Sequence, residues 1–353
     1  MQDEAFISAL KAQSRACAAM GSSFYGALLD CAASDPEALR ALFAPWEGQP
    51  TEAVVAAAAP LRFLGALHDL VLSGDEPALT AAYPPLKGDG SAAWQAARRA
   101  IESRQPRLAA FMRHEPQTNE VRRSAVLLPG FLEIAAETGF PLACLELGAS
   151  AGLNQLWSRF RYDYGATGTW GDAASPVALT SDWTGPAPQL AAPLRVVSTA
   201  ACDRSPVDVR DPAQRRRLKA YVWPDQPERM ARFDAALGLA LETGVSVEKA
   251  DAAAWARARA KPSEGVATVI FHSIFWQYLP PTAQEDLRRT IEARGDEATA
   301  TAPLAWLRME PPTGQAMPIE LRLTLWPGGE DRRLALVHAH GATVAWEGEP
   351  VSV

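Results

Sequence analysis

Leu145-Glu146-Leu147-Gly148-Ala149-Ser150-Ala151-Gly152-Leu153-Asn154 is the stretch that decides the fold of this chain. The apolar run 141–147 enters it and reads as a short buried strand, and residues 153–160 leave it with helix-compatible spacing. Small residues between the two let the backbone turn tightly and come close to a ligand. The first helical turn then presents free N–H groups and the positive end of the helix dipole.

Downstream, strand and helix patterns alternate. Residues 194–202 read as a strand, and Asp211-Pro212 caps a helix. Asp225 and Glu228 have capping-box spacing and open a helix that stops at Gly244. Residues 245–249 form the next strand, 252–260 a helix, and 267–275 a continuous apolar strand. Thr282 and Glu285 form a second capping box, with Gly295 as the stop. A strand over 303–309 follows, and then 319–326 and 333–338 flank Pro327-Gly328-Gly329 as a hairpin. Parallel βα units closed by an antiparallel hairpin predict a doubly wound, Rossmann-like α/β sheet with an antiparallel edge. Residues 160–193 break the alternation: Phe160, Tyr162 and Tyr164 alternate like a strand, so an inserted hairpin or lobe is expected there. Upstream of 141 no strand is expected. That segment is alanine-rich with helix starts such as Asp35-Pro36, which predicts an all-helical domain over 1–117 and an α/β domain over 118–353.

Composition narrows the functional classes. At 353 residues, 48% hydrophobic and 21% charged, the chain has the profile of an ordinary soluble two-domain protein. The net charge of −7 is mixed along the chain, and the basic run Arg215-Arg216-Arg217-Leu218-Lys219 reads as a solvated helix face, which disfavours nucleic acid as a partner. Cys17, Cys31, Cys144 and Cys202 are scattered without a C-x-x-C pair, so neither a metal site nor a disulfide framework is expected. The acidic start lacks the pattern of a signal peptide and no apolar run is long enough to span a membrane, so a cytoplasmic location is expected.

The glycine turn fits two chemistries. Glu146, Gly148, Ser150 and Gly152 match the methyltransferase pattern acidic-x-Gly-x-Gly-x-Gly, with serine at the middle position. An acid there suits the cationic methionine part of S-adenosylmethionine. Asp203 ends the next strand, where ribose hydroxyls would be held, and Asp251 ends the one after, near the adenine. Three acids at successive strand ends follow the rule that ligands sit at the carboxyl ends of parallel strands. Asn154, in the first helical turn, would add a donor to the cofactor carboxylate. The rival reading is Gly148-x-Ser150-x-Gly152 as a nucleophile elbow, with Asp251 and His272, His338 or His340 completing a serine hydrolase. A non-catalytic cofactor-binding module is the third.

At these residues the chain resembles class I methyltransferases in its fold motifs, from which Glu146, Gly148, Gly152, Asp203 and Asp251 are carried over as cofactor-binding. More closely it resembles an uncharacterised bacterial family, domain of unknown function 2332, through residues 146–154, 202–208, 222–226 and 271–278. The resemblance runs over nearly the whole chain. That family implies a fold and a cofactor pocket but no established reaction; the resemblance to methyltransferases adds S-adenosylmethionine as the expected cofactor and methyl transfer to a small-molecule acceptor as the expected reaction. The acceptor side falls after the fourth strand, where His272 is the candidate base and Tyr278 a pocket wall. The absence of Asp/Asn-Pro-Pro-Tyr/Phe there disfavours nucleobase amines as acceptors.

Overall fold

The computed structural model describes residues 4–85, 88–312 and 317–347. Seven helices open the chain: α1 (Glu4–Ala19), α2 (Ser23–Ala33), α3 (Pro36–Phe43), α4 (Thr51–Ala56), α5 (Ala59–Ser73), α6 (Pro77–Ala82) and α7 (Gly90–Met112). Then come α8 (Ser124–Thr138), β1 (Leu142–Leu147), the short strands β2 (Arg161–Asp163), β3 (Thr169–Trp170), β4 (Ala178–Thr180) and β5 (Asp182–Thr184), and the longer β6 (Val196–Asp203). The remainder is α9 (Pro212–Lys219), α10 (Pro227–Thr243), β7 (Glu248–Lys249), α11 (Ala252–Arg259), β8 (Ala267–Ser273), α12 (Pro281–Asp296), β9 (Leu304–Glu310), β10 (Ile319–Trp326), β11 (Glu330–Val337) and β12 (Thr343–Trp346).

The chain forms two compact units. The first joins Met1–Thr118 to Arg210–Phe233, and the second joins Asn119–Val209 to Asp234–Val353. The first unit is all helical, and the return of α9 to it lies outside the boundaries that alternation alone suggests. Its side chains explain the return. Asp69 in α5, almost buried, accepts from Arg107 Nη2 (2.7 Å) and from Arg216 Nε of α9 (2.7 Å). Asp225 accepts from Ser22 Oγ (2.8 Å) and from the Phe24 amide (3.2 Å). Its carboxylate therefore serves the start of α2 rather than a capping box of its own. Gly65 leaves room for the Tyr221 ring, whose nearest atom would stand 2.7 Å from a β-carbon there.

The second unit carries a nine-stranded sheet in the order β5-β12-β11-β10-β9-β8-β1-β6-β7. β7, β6, β1, β8 and β9 run parallel, and β10, β11 and β12 follow as an antiparallel meander. The chain thus leaves β1 for one side of the sheet and later returns to β8 on the other, so strand order reverses between β1 and β8. Helices cover both faces. On one, Gly130 of α8 lets Leu307 of β9 approach so closely that a β-carbon would lie 2.5 Å from it. On the other, Leu287 and Ile291 of α12 pack with Leu304, Trp306 and Trp326. Gly295, expected to end α12, lies in its last turn, and a β-carbon there would stand 2.3 Å from the Trp326 ring, which accounts for the glycine. Pro280, not Thr282, stands at the start of that helix, and Glu285 pairs with Arg288 and Arg289 instead of capping. Residues 160–193 divide between two sheets: β2, β3 and β4 pair among themselves, and β5 extends the far edge of the large sheet beside β12. Among the described residues no helix is long and apolar enough to cross a membrane.

His68 gives the helical unit a pH response. It is buried and bonded through Nδ1 to the Ala220 carbonyl (3.1 Å), and burial, opposed by that bond, pulls its pKa down to about 4. The unfolded chain therefore binds the proton between pH 6.5 and about 4 while the folded chain does not. Stability should fall across that window as pH drops, by up to about 3 kcal/mol. Urea unfolding at pH 7 and pH 5 should show this slope in the native protein and a flatter one in His68→Gln.

Candidate functional site at the strand carboxyl ends

The glycine turn after β1 sits at the reversal of strand order. Gly148 (φ 66°), Ser150 (φ 55°) and Gly152 (φ 74°) all take the left-handed conformation, which a serine adopts only under strain. Asp203, at the end of neighbouring β6, holds the turn: Oδ2 accepts from the Ser150 amide (2.8 Å) and Oδ1 from the Ser205 amide (2.7 Å). The Val207 amide donates back to the Ser150 carbonyl (3.0 Å). A 3-10 segment, Leu153–Arg159, follows in place of a full helix. It is pinned by stacking of Trp157 on Phe131 of α8, with ring centroids 4.0 Å apart.

Residues 119–124 supply a second set of supports. Asn119 Oδ1 accepts from the Leu153 amide (3.0 Å), Asn154 Nδ2 donates to the Glu120 carbonyl (3.3 Å), and Ser124 Oγ donates to Asn154 Oδ1 (2.9 Å). Asn154 is thus committed to protein partners and buried. Arg123, in the same segment, donates from Nε to the Ala339 carbonyl (3.1 Å) and from Nη1 to the Ser273 carbonyl (3.3 Å), tying the ends of β8 and β11 together.

Two side chains at the turn are not satisfied. Glu146 is buried and its Oε2 has no hydrogen-bond partner among the described residues; the same holds for Ser150 Oγ. Such orphaned polar atoms are few in native interiors and call for an explanation. Burial, reinforced by Asp203 and opposed by Arg123, holds the Glu146 pKa well above the usual carboxylate range. The glycines, by contrast, are tightly faced by protein. A β-carbon on Gly148 would stand 2.1 Å from the Phe275 ring, and one on Gly152 would meet Gln155, Val245 and Val247 within 3 Å.

The other expected site residues lie apart from Glu146 and Ser150 in their bonding. Asp251 caps α11 through the Ala254 amide (3.0 Å). His272 is buried between two partners: Nδ1 bonds Glu310 Oε1 (2.7 Å) and Nε2 receives the Trp306 indole N–H (2.9 Å). An indole nitrogen only donates, so Nε2 accepts and the ring proton sits on Nδ1. Neither nitrogen is left for an acceptor. Tyr278 is 69% exposed. His338 Nδ1 accepts from the His340 amide (3.1 Å). None of these imidazoles bonds Ser150 Oγ. Among the described residues no group of three or more His, Cys, Asp or Glu could hold a metal ion. Arg123 carried no signal in sequence, because it acts through contacts with the Ser273 and Ala339 carbonyls far along the chain.

A family profile for uncharacterised proteins conserved in bacteria matches residues 8–346. The chain belongs to this family, DUF2332. No curated protein and no solved structure matches it. The DUF2332 match takes in both units, and three of the four stretches that carry the resemblance fall at the ends of β1, β6 and β8, where the strained turn and the orphaned atoms lie.

Glu146 makes a testable claim about this site. A group with a raised folded pKa stabilises the fold below its unfolded pKa and loses that contribution as pH rises above it. Glu146→Gln removes the titration and keeps the shape. Thermal melts should show the variant gaining stability over the native chain at pH 8, with a smaller gain at pH 5; equal differences at both would contradict a protonated Glu146.

Proposed function

We propose that the chain binds S-adenosylmethionine at the carboxyl ends of β1, β6 and β7 and transfers its methyl group to a small acceptor. The observation that carries this reading is the pair of orphaned polar atoms, Glu146 Oε2 and Ser150 Oγ, at the reversal of strand order. In a doubly wound sheet that reversal is where nucleotide-type ligands bind.

The residues present fit the group. Glu146 is an acid buried without a counter-ion bonded to Oε2, and a sulfonium would supply one. Asp203 has one amide on each oxygen, and a carboxylate oxygen accepts two bonds, so capacity remains for ribose hydroxyls. Asp251 stands at the next strand end, beside β7. The Phe275 ring over Gly148 must turn aside for a ligand to reach the turn.

When bound, the cofactor supplies an already activated methyl group. What the chain contributes is alignment and dryness. The Asp203 and Asn119 bonds fix the turn before any ligand arrives, so little ordering remains to be done on binding. Entry of a cation beside Glu146 favours the carboxylate, so binding expels the Glu146 proton.

One observation favours a second reading. Ser150 has the strained conformation of a nucleophile elbow and a free Oγ. Against it, His272 spends both nitrogens on Glu310 and Trp306.

Calorimetric titration with S-adenosylmethionine and its demethylated product, with NAD as control, tests the proposal. Selective binding of the first two is expected, with proton release seen as a dependence on buffer ionisation heat for the sulfonium ligand. Asp203→Asn should weaken binding roughly tenfold or more by removing a charged hydrogen-bond acceptor. Failure of both ligands to bind, together with labelling of Ser150 by a fluorophosphonate, would replace this reading with the hydrolase.

A further inference from the structure

A cleft of about 710 Å³ opens in the second unit between α12 and strands β9 to β11. That size suits a small organic molecule. Alternate residues of the strands point into it: Trp306, Arg308 and Glu310 from β9, with Glu320, Arg322 and Thr324 paired across from them on β10.

The arginines of the cleft are already matched. Arg308 pairs with Asp331 (2.8 Å), Arg322 with Glu320 (3.0 Å) and Asp331 (3.1 Å), and Arg288 with Glu285 (2.8 Å) and Glu292 (2.6 Å). Two acids are not. Glu310 is 7% exposed and accepts from His272 Nδ1 (2.7 Å) and the Phe275 amide (2.9 Å). Because Trp306 donates to His272 Nε2, the imidazole in this bonding pattern is uncharged, and so is the amide. Glu310 therefore has no cation among its hydrogen-bond partners. Asp296, at the end of α12, makes no ion pair among the described residues. Trp276, Trp306 and Trp326 line the same cleft. The Arg308 guanidinium already rests 4.2 Å from the Trp306 ring, so this aromatic wall engages cations within the protein itself.

We infer that this cleft is a binding site for a small organic cation, an amine or quaternary ammonium, with Glu310 as its counter-charge and the indoles as its wall. An anion would have to break an existing arginine pair. The site is separate from the glycine turn and does not rest on the methyltransferase reading.

The full-length protein is titrated calorimetrically with choline and spermidine, with 3,3-dimethylbutan-1-ol, the uncharged counterpart of choline, and glucose as controls. At least one ammonium probe should bind, and the uncharged alcohol should bind roughly tenfold more weakly or not at all. Glu310→Gln keeps an acceptor for Phe275 and His272 but removes the charge, and should lower affinity about tenfold or more. Trp276→Ala and Asp296→Asn should each weaken binding, which keeps the test open if Glu310→Gln does not fold. Asp203→Asn should leave it unchanged, which separates this site from the cofactor reading. Absence of ammonium binding, equal binding of the alcohol, preference for glucose, or affinity unmoved in the cleft variants would each overturn the inference.

Discussion

The hydrogen bond from the Ser150 amide to Asp203 Oδ2 (2.8 Å) is the constraint on which the carboxyl edge of the α/β unit's parallel strands depends. It joins the turn after β1 to the end of β6 and holds a serine at φ 55°. A non-glycine residue stays in that region only when its surroundings over-determine it. Here they do: the Val207 amide, the Asn119 side chain and the stacked Trp157 all restrain the same few residues. The backbone of the turn after β1 is restrained as a consequence, with Glu146 Oε2 and Ser150 Oγ unsatisfied beside it.

A second strained residue marks the neighbouring strand. Ile274 sits at φ 49°, an outlier for a β-branched side chain, with its amide on the Met309 carbonyl (2.9 Å). That bend sends Phe275 over Gly148 and places its amide on Glu310. One short segment, 273–278, thereby divides the glycine turn from the tryptophan-lined cleft. Glu310 fixes its backbone from the cleft side, and Gly148 receives its ring from the other.

The helical unit follows a different logic. Asp69 between Arg107 and Arg216, and Asp225 under Ser22, are acids whose carboxylates hold segments distant in sequence. A buried charge partnered in the way of Asp69 specifies an arrangement and is costly to break. The bond to Ser22 gives Asp225 a structural role in that unit.

By itself the sequence determined the alternation of strands and helices, the turn at 148–152, the hairpin after β9 and the helical character of the first hundred residues. These rest on local rules of period, capping and turn chemistry, which a chain carries wherever it lies. It also marked Glu146, Asp203 and Asp251 as strand-end acids. What it did not contain was the use each residue found. His272 reads as a free base until Trp306 and Glu310, 34 and 38 residues on, close around both nitrogens. Residues 210–233 read as part of the α/β alternation until Asp69 claims Arg216. The 252–259 helix and its Asp251 cap were legible, whereas the cleft was not, because it is made where β9, β10, β11 and α12 meet. Proton location, orphaned atoms and cavities arise from contacts between distant segments, and only the packed chain decides those.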